Sequence, residues 1–241
     1  MIDNRVIEIC CGSIEDVITA SKEPIDRIEL NSALELGGMT CSLGTLIESK
    51  KVTTLPLCCM VRPRTSGFHY TERQFESMLF DAEQLCIHGA DGIVFGFLNA
   101  DNSINIERTK KMADLVHRYN KEVIFHKAFD ATTDKFKACE DCIACGVDRI
   151  LTSGGENYPH IEEGFETLHK LIETYQDRIT ILVGGGVRDF NVQTILTETN
   201  CHEIHMTAKQ TAYDDGDYTE VSPTYLRTIL SKIEEMNNDT N

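Results

Sequence analysis

Ile181-Leu182-Val183-Gly184-Gly185-Gly186-Val187 is an apolar, β-branched run that breaks into three glycines just before a helical pattern. The same arrangement recurs upstream. Arg149-Ile150-Leu151-Thr152-Ser153-Gly154-Gly155 ends in hydroxyls and glycines. Another apolar run carries Phe125-His126-Lys127-Ala128-Phe129-Asp130, and a third leads into Arg62-Pro63-Arg64. Polar or glycine clusters at the carboxyl ends of strands, each ahead of a helix, are the layout of a (β/α)₈ barrel whose site lies on the loops after its strands.

Outward from these stretches, strand-like and helix-like segments alternate along the whole chain. Strands are expected at 6–11, 27–32, 55–61, 92–98, 122–129, 149–152, 179–183 and 203–207. Helices are expected from 13, over 43–51 and 72–88, up to 119, over 135–144, up to 175, over 191–197 and over 223–236. Ser13-Ile14-Glu15-Asp16 resembles a capping box at the first helix. The strands are short and nearly continuous in apolar residues, as parallel strands covered on both faces are. The fold expected is an α/β single-domain TIM barrel over residues 1–236, with a disordered tail at 237–241.

The composition narrows the function. With 241 residues and 41% hydrophobic content, one barrel-sized core can be buried. A formal net charge of −16 repels phosphate backbones and anionic membrane surfaces, so neither nucleic acid nor a membrane is an expected partner. Met1-Ile2-Asp3-Asn4-Arg5 offers no basic and then apolar leader, so a cytoplasmic protein is expected. The ten cysteines then read as buried, reduced thiols rather than as a disulfide framework.

Chemistry concentrates at the strand ends. Glu8 and Glu29 sit mid-strand, where a carboxylate needs a partner if it points inward. Arg62 and Arg64 flank Pro63 and offer planar forks for a carboxylate or phosphate, or for Glu8 and Glu29 themselves. If the fifth strand reaches 129, His126 and Asp130 share its inner face and form an acid–base pair, and Lys127 turns toward the helices. Schiff-base chemistry at Lys127 is then a weaker variant. Thr152, Ser153 and Gly154, with Gly184, Gly185 and Gly186, supply backbone amides for an anion, and His205, Thr207 and Lys209 share one side of the eighth strand. Cys139, Cys142 and Cys145 lie on one helical stripe without a fourth ligand, so packing against the barrel is expected there rather than zinc. Cys10 shares the inner face with Glu8 and is the thiol placed to meet a soft metal.

Taken in order, several motifs resemble the CutC copper homeostasis family. They are Glu8-Ile9-Cys10-Cys11, Asp26-Arg27-Ile28-Glu29-Leu30, Gly37-Gly38-Met39-Thr40, Arg62-Pro63-Arg64, the 125–130 stretch, Leu151-Thr152-Ser153-Gly154 and Gly184-Gly185-Gly186-Val187. The resemblance implies a TIM barrel, a cytoplasmic location, a homo-oligomer (dimer or tetramer) and a link to copper, with Cu(I) as the implied ion. Among animal members it implies two cysteine ligands. Cys10 matches the first, and Asn31 occupies the second position, so a copper site here needs Cys11, Cys41, Cys59 or a histidine. Lys127 stands where many members carry arginine.

Two functions are therefore expected. One is a copper homeostasis protein that holds Cu(I) through Cys10. The other is an enzyme acting on a small anionic substrate, such as a phosphorylated one, at the C-terminal mouth of the barrel, with Glu8, Glu29, Arg62, Arg64, His126 and Asp130 in its pocket. Neither calls for an organic cofactor.

Overall fold

In the computed structural model, which describes residues 2, 4–156 and 159–238, strand β1 (Val6–Cys11) and helix α1 (Ile14–Ala20) set the repeating unit. Ser13 caps α1 by accepting the Asp16 N–H at 3.1 Å. The Asp16 carboxylate accepts the Gly12 N–H at 2.9 Å and, from across the chain, the Val221 N–H at 2.7 Å. The N-terminus of α1 is thereby tied to the closing segment of the fold.

The unit repeats as β2 (Arg27–Leu30) and α2 (Leu43–Val52), β3 (Leu57–Met60) and α3 (Glu72–Ile87), β4 (Gly92–Phe95) and α4 (Ile106–His117). It continues as β5 (Glu122–Phe125) and α5 (Lys135–Ala144), β6 (Arg149–Thr152) and α6 (Phe165–Tyr175), β7 (Thr180–Val183) and α7 (Val192–Thr199). The last unit is β8 (Glu203–Met206), a hairpin of β9 (Lys209–Tyr213) and β10 (Asp217–Val221), and α8 (Pro223–Asn238). The eight strands from β1 to β8 pair in parallel and in chain order, and β8 closes on β1.

Four expectations need correction. The fourth strand stops at Phe95, three residues short of the expected end. The fifth strand stops at Phe125, four residues short of the expected end, and Lys127–Ala131 form a 3₁₀ turn. The turn starts because His126 Nδ1 accepts the Ala128 N–H at 3.0 Å, which bends the chain out of the sheet. The β9–β10 hairpin has no counterpart among the expected strands; it is mostly exposed and polar, so it lacks the apolar run that marks the barrel strands. Helix α8 runs through Asn238, so 237 and 238 of the expected tail are helical, and 239–241 lie outside the described residues.

Strand alternation separates two cores. Cys11, Cys41, Cys59, Cys139, Cys142 and Cys145 join the large apolar layer between sheet and helices. Cys58, Met60, Val94 and Ile124 form a second, small apolar cluster. Cys58 pairs across the ladder with Glu29 and with Gly92, and Glu29 with Cys10, so these positions continue one face around the barrel, its interior. Leu151 and Leu182 share that face, and most of the rest of it is polar. In register, Glu8 lies beside Arg27 on β2 and beside His205 on β8, and Cys10 lies beside Glu29.

Candidate functional site

At the floor, Arg27 Nε donates to Glu8 Oε2 and its Nη2 to Glu203 Oε2 at 2.6 Å. Arg149 forks onto both oxygens of Glu122 at 3.0 and 3.1 Å. Its Nε lies 2.8 Å from Glu203 Oε2 in ion-pair contact, with the N–H aimed off the oxygen. The second Glu8 oxygen accepts from His205 Nδ1 at 2.7 Å. Burial opposes charge on Glu8, but Arg27 and the His205 hydrogen bond overcome it and hold this carboxyl at about 2. Burial likewise opposes charge on His205, and Glu29 and Glu8 together still raise it above its ordinary range.

Above that layer a cavity of about 330 Å³ opens at the carboxyl ends of the strands. At its closed end, ligand atoms of Cys10, Glu29 and His205 lie within 4.8 Å of one another, and all three residues are buried. Asn31 binds the group together, its Nδ2 donating to Glu29 Oε2 at 2.6 Å and to Cys10 Sγ at 3.3 Å. Burial, then the charge of Glu29, pushes the Cys10 thiol well above its usual range. Burial also raises Glu29, against the pull of His205.

The walls carry further unsatisfied groups. Glu29 Oε1, Asn31 Oδ1, Arg62 Nε and His126 Nε2 are all buried with no hydrogen bond of ordinary geometry. Arg62 is fixed by its Nη1, which donates to the Gly37 and Gly38 carbonyls at 2.9 and 3.1 Å, and it lies over the Phe68 ring. The His126 ring fits because position 96 is glycine; a Cβ there would lie 2.6 Å from His126 Nδ1. Because Nδ1 accepts a backbone N–H, the imidazole proton sits on Nε2. Burial, reinforced by the Arg62 charge, brings His126 down to about 3, so it is a neutral donor at physiological pH rather than a proton carrier.

The expected site residues divide accordingly. Cys10, Glu29, Arg62, His126, Gly185 and Gly186 line the cavity, together with His205, Thr207 and Lys209. Glu8 lies in the paired layer beneath. Gly184 leaves room for β8: a Cβ there would lie 2.9 Å from His205 Cβ. Neither Arg62 nor Arg64 meets Glu8 or Glu29. Arg64 braces its own loop through the Thr65, Ser66 and His69 carbonyls and stacks over Tyr70, away from the cavity.

Asp130 does not pair with His126. Its carboxylate accepts from Thr152 Oγ1 at 2.5 Å, Ser153 Oγ at 2.8 Å, and the Ser153 and Gly155 N–H groups at 3.2 Å. Thr152 and Ser153, expected to hold an external anion, are thus occupied by an internal one, and the Gly154 N–H donates to Thr152 Oγ1 at 3.0 Å. The shortened fifth strand also reverses the expected place of Lys127. Its side chain lines the cavity, with Nζ 3.6 Å from Asp130 Oδ2. Burial lowers Lys127 despite Asp130. Arg188 lines the cavity as well, and nothing in the sequence around it marks it out.

The CutC family model matches residues 5–210. A CutC family protein of Treponema denticola is 43% identical over 205 residues, covering 85% of this chain and 82% of its own. One from Glaesserella parasuis is 38% identical over 203 residues, covering 84% and 82%. The crystal structure of CutC from Streptococcus agalactiae superposes with a TM-score of 0.78 at 30% identity, covering 83% of this chain and 97% of that one. The chain belongs to the CutC copper homeostasis family. The matched segment ends within β9, so most of the β9–β10 hairpin and all of α8 lie beyond it. Within this CutC-family barrel, Cys11, Cys41 and Cys59 belong to the layer outside the strands. The group that joins Cys10 at the closed end is His205, and Asn31 reaches the sulfur as a hydrogen-bond donor. No described helix is long and apolar enough to cross a membrane.

Proposed function

We propose that the protein serves copper homeostasis by holding a copper ion at the closed end of the cavity, on Cys10, Glu29 and His205. The observation that supports this reading is the convergence of a thiol, a carboxylate and an imidazole, all buried, within 4.8 Å. Glu8 on His205 Nδ1 turns the other ring nitrogen to the ion, the arrangement by which an outer carboxylate orients a metal-binding histidine. The sulfur and the imidazole suit Cu(I), and the carboxylate adds a harder donor. The ten cysteines are free thiols, in keeping with a reducing, cytoplasmic setting. Anaerobic Cu(I) titration against a competing chelator is the test. One equivalent is expected in the parent, lost in Cys10→Ala and weakened in His205→Ala. Unchanged stoichiometry and affinity in Cys10→Ala removes copper from this site. Sedimentation of the same samples reports whether the protein self-associates, as the family resemblance implies.

A second reading rests on a different observation. In a chain of net charge −16, the cavity gathers Arg62, Lys127, Arg188 and Lys209 against a single lining carboxylate, Glu29. Cations concentrated in a concave, partly apolar pocket favour a small anion. We therefore propose that a small anionic molecule binds above the metal position. Calorimetric titration with inorganic phosphate and with glycolate tests this, and binding equal in the parent and in Arg62→Ala would refute it.

A further inference from the structure

Resting on the anion reading, we infer that the cavity takes a small carbonyl compound bearing a carboxylate or phosphate, and that Lys127 Nζ joins its carbonyl carbon as an imine. The placement of Lys127 comes first. It leaves the 3₁₀ turn after β5 toward the cavity and crosses the glycine loop after β7. A Cβ at position 185 would lie 2.8 Å from Lys127 Cε, and Gly185 holds φ +100°. A side chain at 185 would thus both strain the loop and push the amine away. The glycine run, expected to bind an anion through its amides, serves at this position to clear a path for the lysine.

Four neighbours complete the chemistry. The Asp130 carboxylate stands 3.6 Å from Nζ and is fixed by Thr152, Ser153 and Gly155, so it is a stationary proton acceptor beside the amine. His126 presents a neutral Nε2–H with no acceptor of its own, the kind of donor a carbonyl oxygen can use while negative charge develops on it. Arg62 and Lys209 on the same cavity supply charge for the anionic end of the molecule. Burial of Lys127 favours its uncharged, nucleophilic form.

The step balances without an oxidant or reductant. The Nζ lone pair attacks the carbonyl carbon, and the C–O π pair moves onto oxygen beside His126 Nε2–H. Asp130 takes a proton from the nitrogen and returns it to that oxygen. Asp130 then carries the second N–H proton to the hydroxyl, which leaves as water while the nitrogen lone pair forms the C=N bond. Hydrolysis of the imine reverses each step.

Glyoxylate is the probe and glycolate its counterpart without the carbonyl. Full-length, metal-free protein is treated with glyoxylate and borohydride, and reduced adducts are mapped on peptides. Adduct at Lys127 is expected at about tenfold or more over the average surface lysine, because the pocket orients both partners. It should fall with added glycolate and be lost in Lys127→Arg, while Lys135→Arg, at a lysine that does not line the cavity, keeps it. Absence of glycolate binding in calorimetry overturns the anion reading itself. Glycolate binding without preferential adduct at Lys127 overturns the imine alone.

Discussion

The floor and the mouth of this barrel both bury charge, and they treat it in opposite ways. On the floor, Glu8, Arg27, Glu203, Arg149 and Glu122 form one chain of ion pairs, with both oxygens of Glu8 engaged. At the mouth, Glu29, Asn31, Arg62 and His126 each keep a buried polar atom without a partner. A buried ionic network is tolerable when its members are paired, and costly when one is left alone. Unpartnered buried atoms carry a free-energy cost that a ligand can relieve. On the floor the one such atom is Arg149 Nε, and it still lies in ion-pair contact with Glu203, so the paired layer reads as structural and the open one as the place for a ligand.

The sharpest way to break that contrast is to remove Arg27. Arg27→Met leaves Glu8 with His205 alone and Glu203 with Arg149 alone, and a loss of about 3–5 kcal/mol in urea unfolding is expected. A loss below about 1 kcal/mol would mean that the floor is not the structural layer.

Next in size is the acid limb of stability in the metal-free protein. Glu8 titrates near 2 in the fold against an ordinary 4.5, so its deprotonated form favours the native state. Its contribution, on the order of 3 kcal/mol, is full above about pH 5 and is lost as pH falls toward 2. Denaturant midpoints across that range should flatten in Glu8→Gln. His205, raised above 6.5, acts with the opposite sign, and its share is lost as pH climbs past that value.

At the mouth the effects should appear in binding first. Arg62→Ala should weaken glycolate by about tenfold or more, about 1.4 kcal/mol. Its unfolding midpoint should move less than that of Arg27→Met; a drop as large would place Arg62 among the structural residues. The smallest effect on stability is expected from Gly185→Ala, about 1 kcal/mol for a methyl group at positive φ. Because the new Cβ would displace Lys127, borohydride trapping should fall much further than stability does.

Much of the fold is legible in the sequence because burial on both faces leaves a plain mark. Strands such as Arg149–Thr152 and the glycine run after Val183 stand out as short apolar stretches ending in polar loops. The candidate site is only partly legible. Cys10 and Glu29 show themselves because a thiol and a carboxylate are conspicuous in mid-strand. Arg27 and Glu203 escape notice, although Arg27 lies two residues from Glu29 and so shares its face. Lys127 falls on the wrong side by sequence parity, since parity along a strand holds only while the strand continues. A single hydrogen bond, from the Ala128 N–H to His126, ends the strand and rotates Lys127 and its neighbours out of register.

The amino-acid order by itself determined the eight repeating units, the reduced thiols and the end of the barrel where reactive groups collect. These arise from local periodicity, which needs no knowledge of distant partners. Tertiary structure alone decided which charges cancel. Glu8 finds Arg27 and His205, Asp130 finds the 152–155 loop, and Lys127 turns into the cavity. Such pairings depend on strand register and on where a turn begins, distances of a few ångströms between residues far apart in the chain, and no local pattern encodes them.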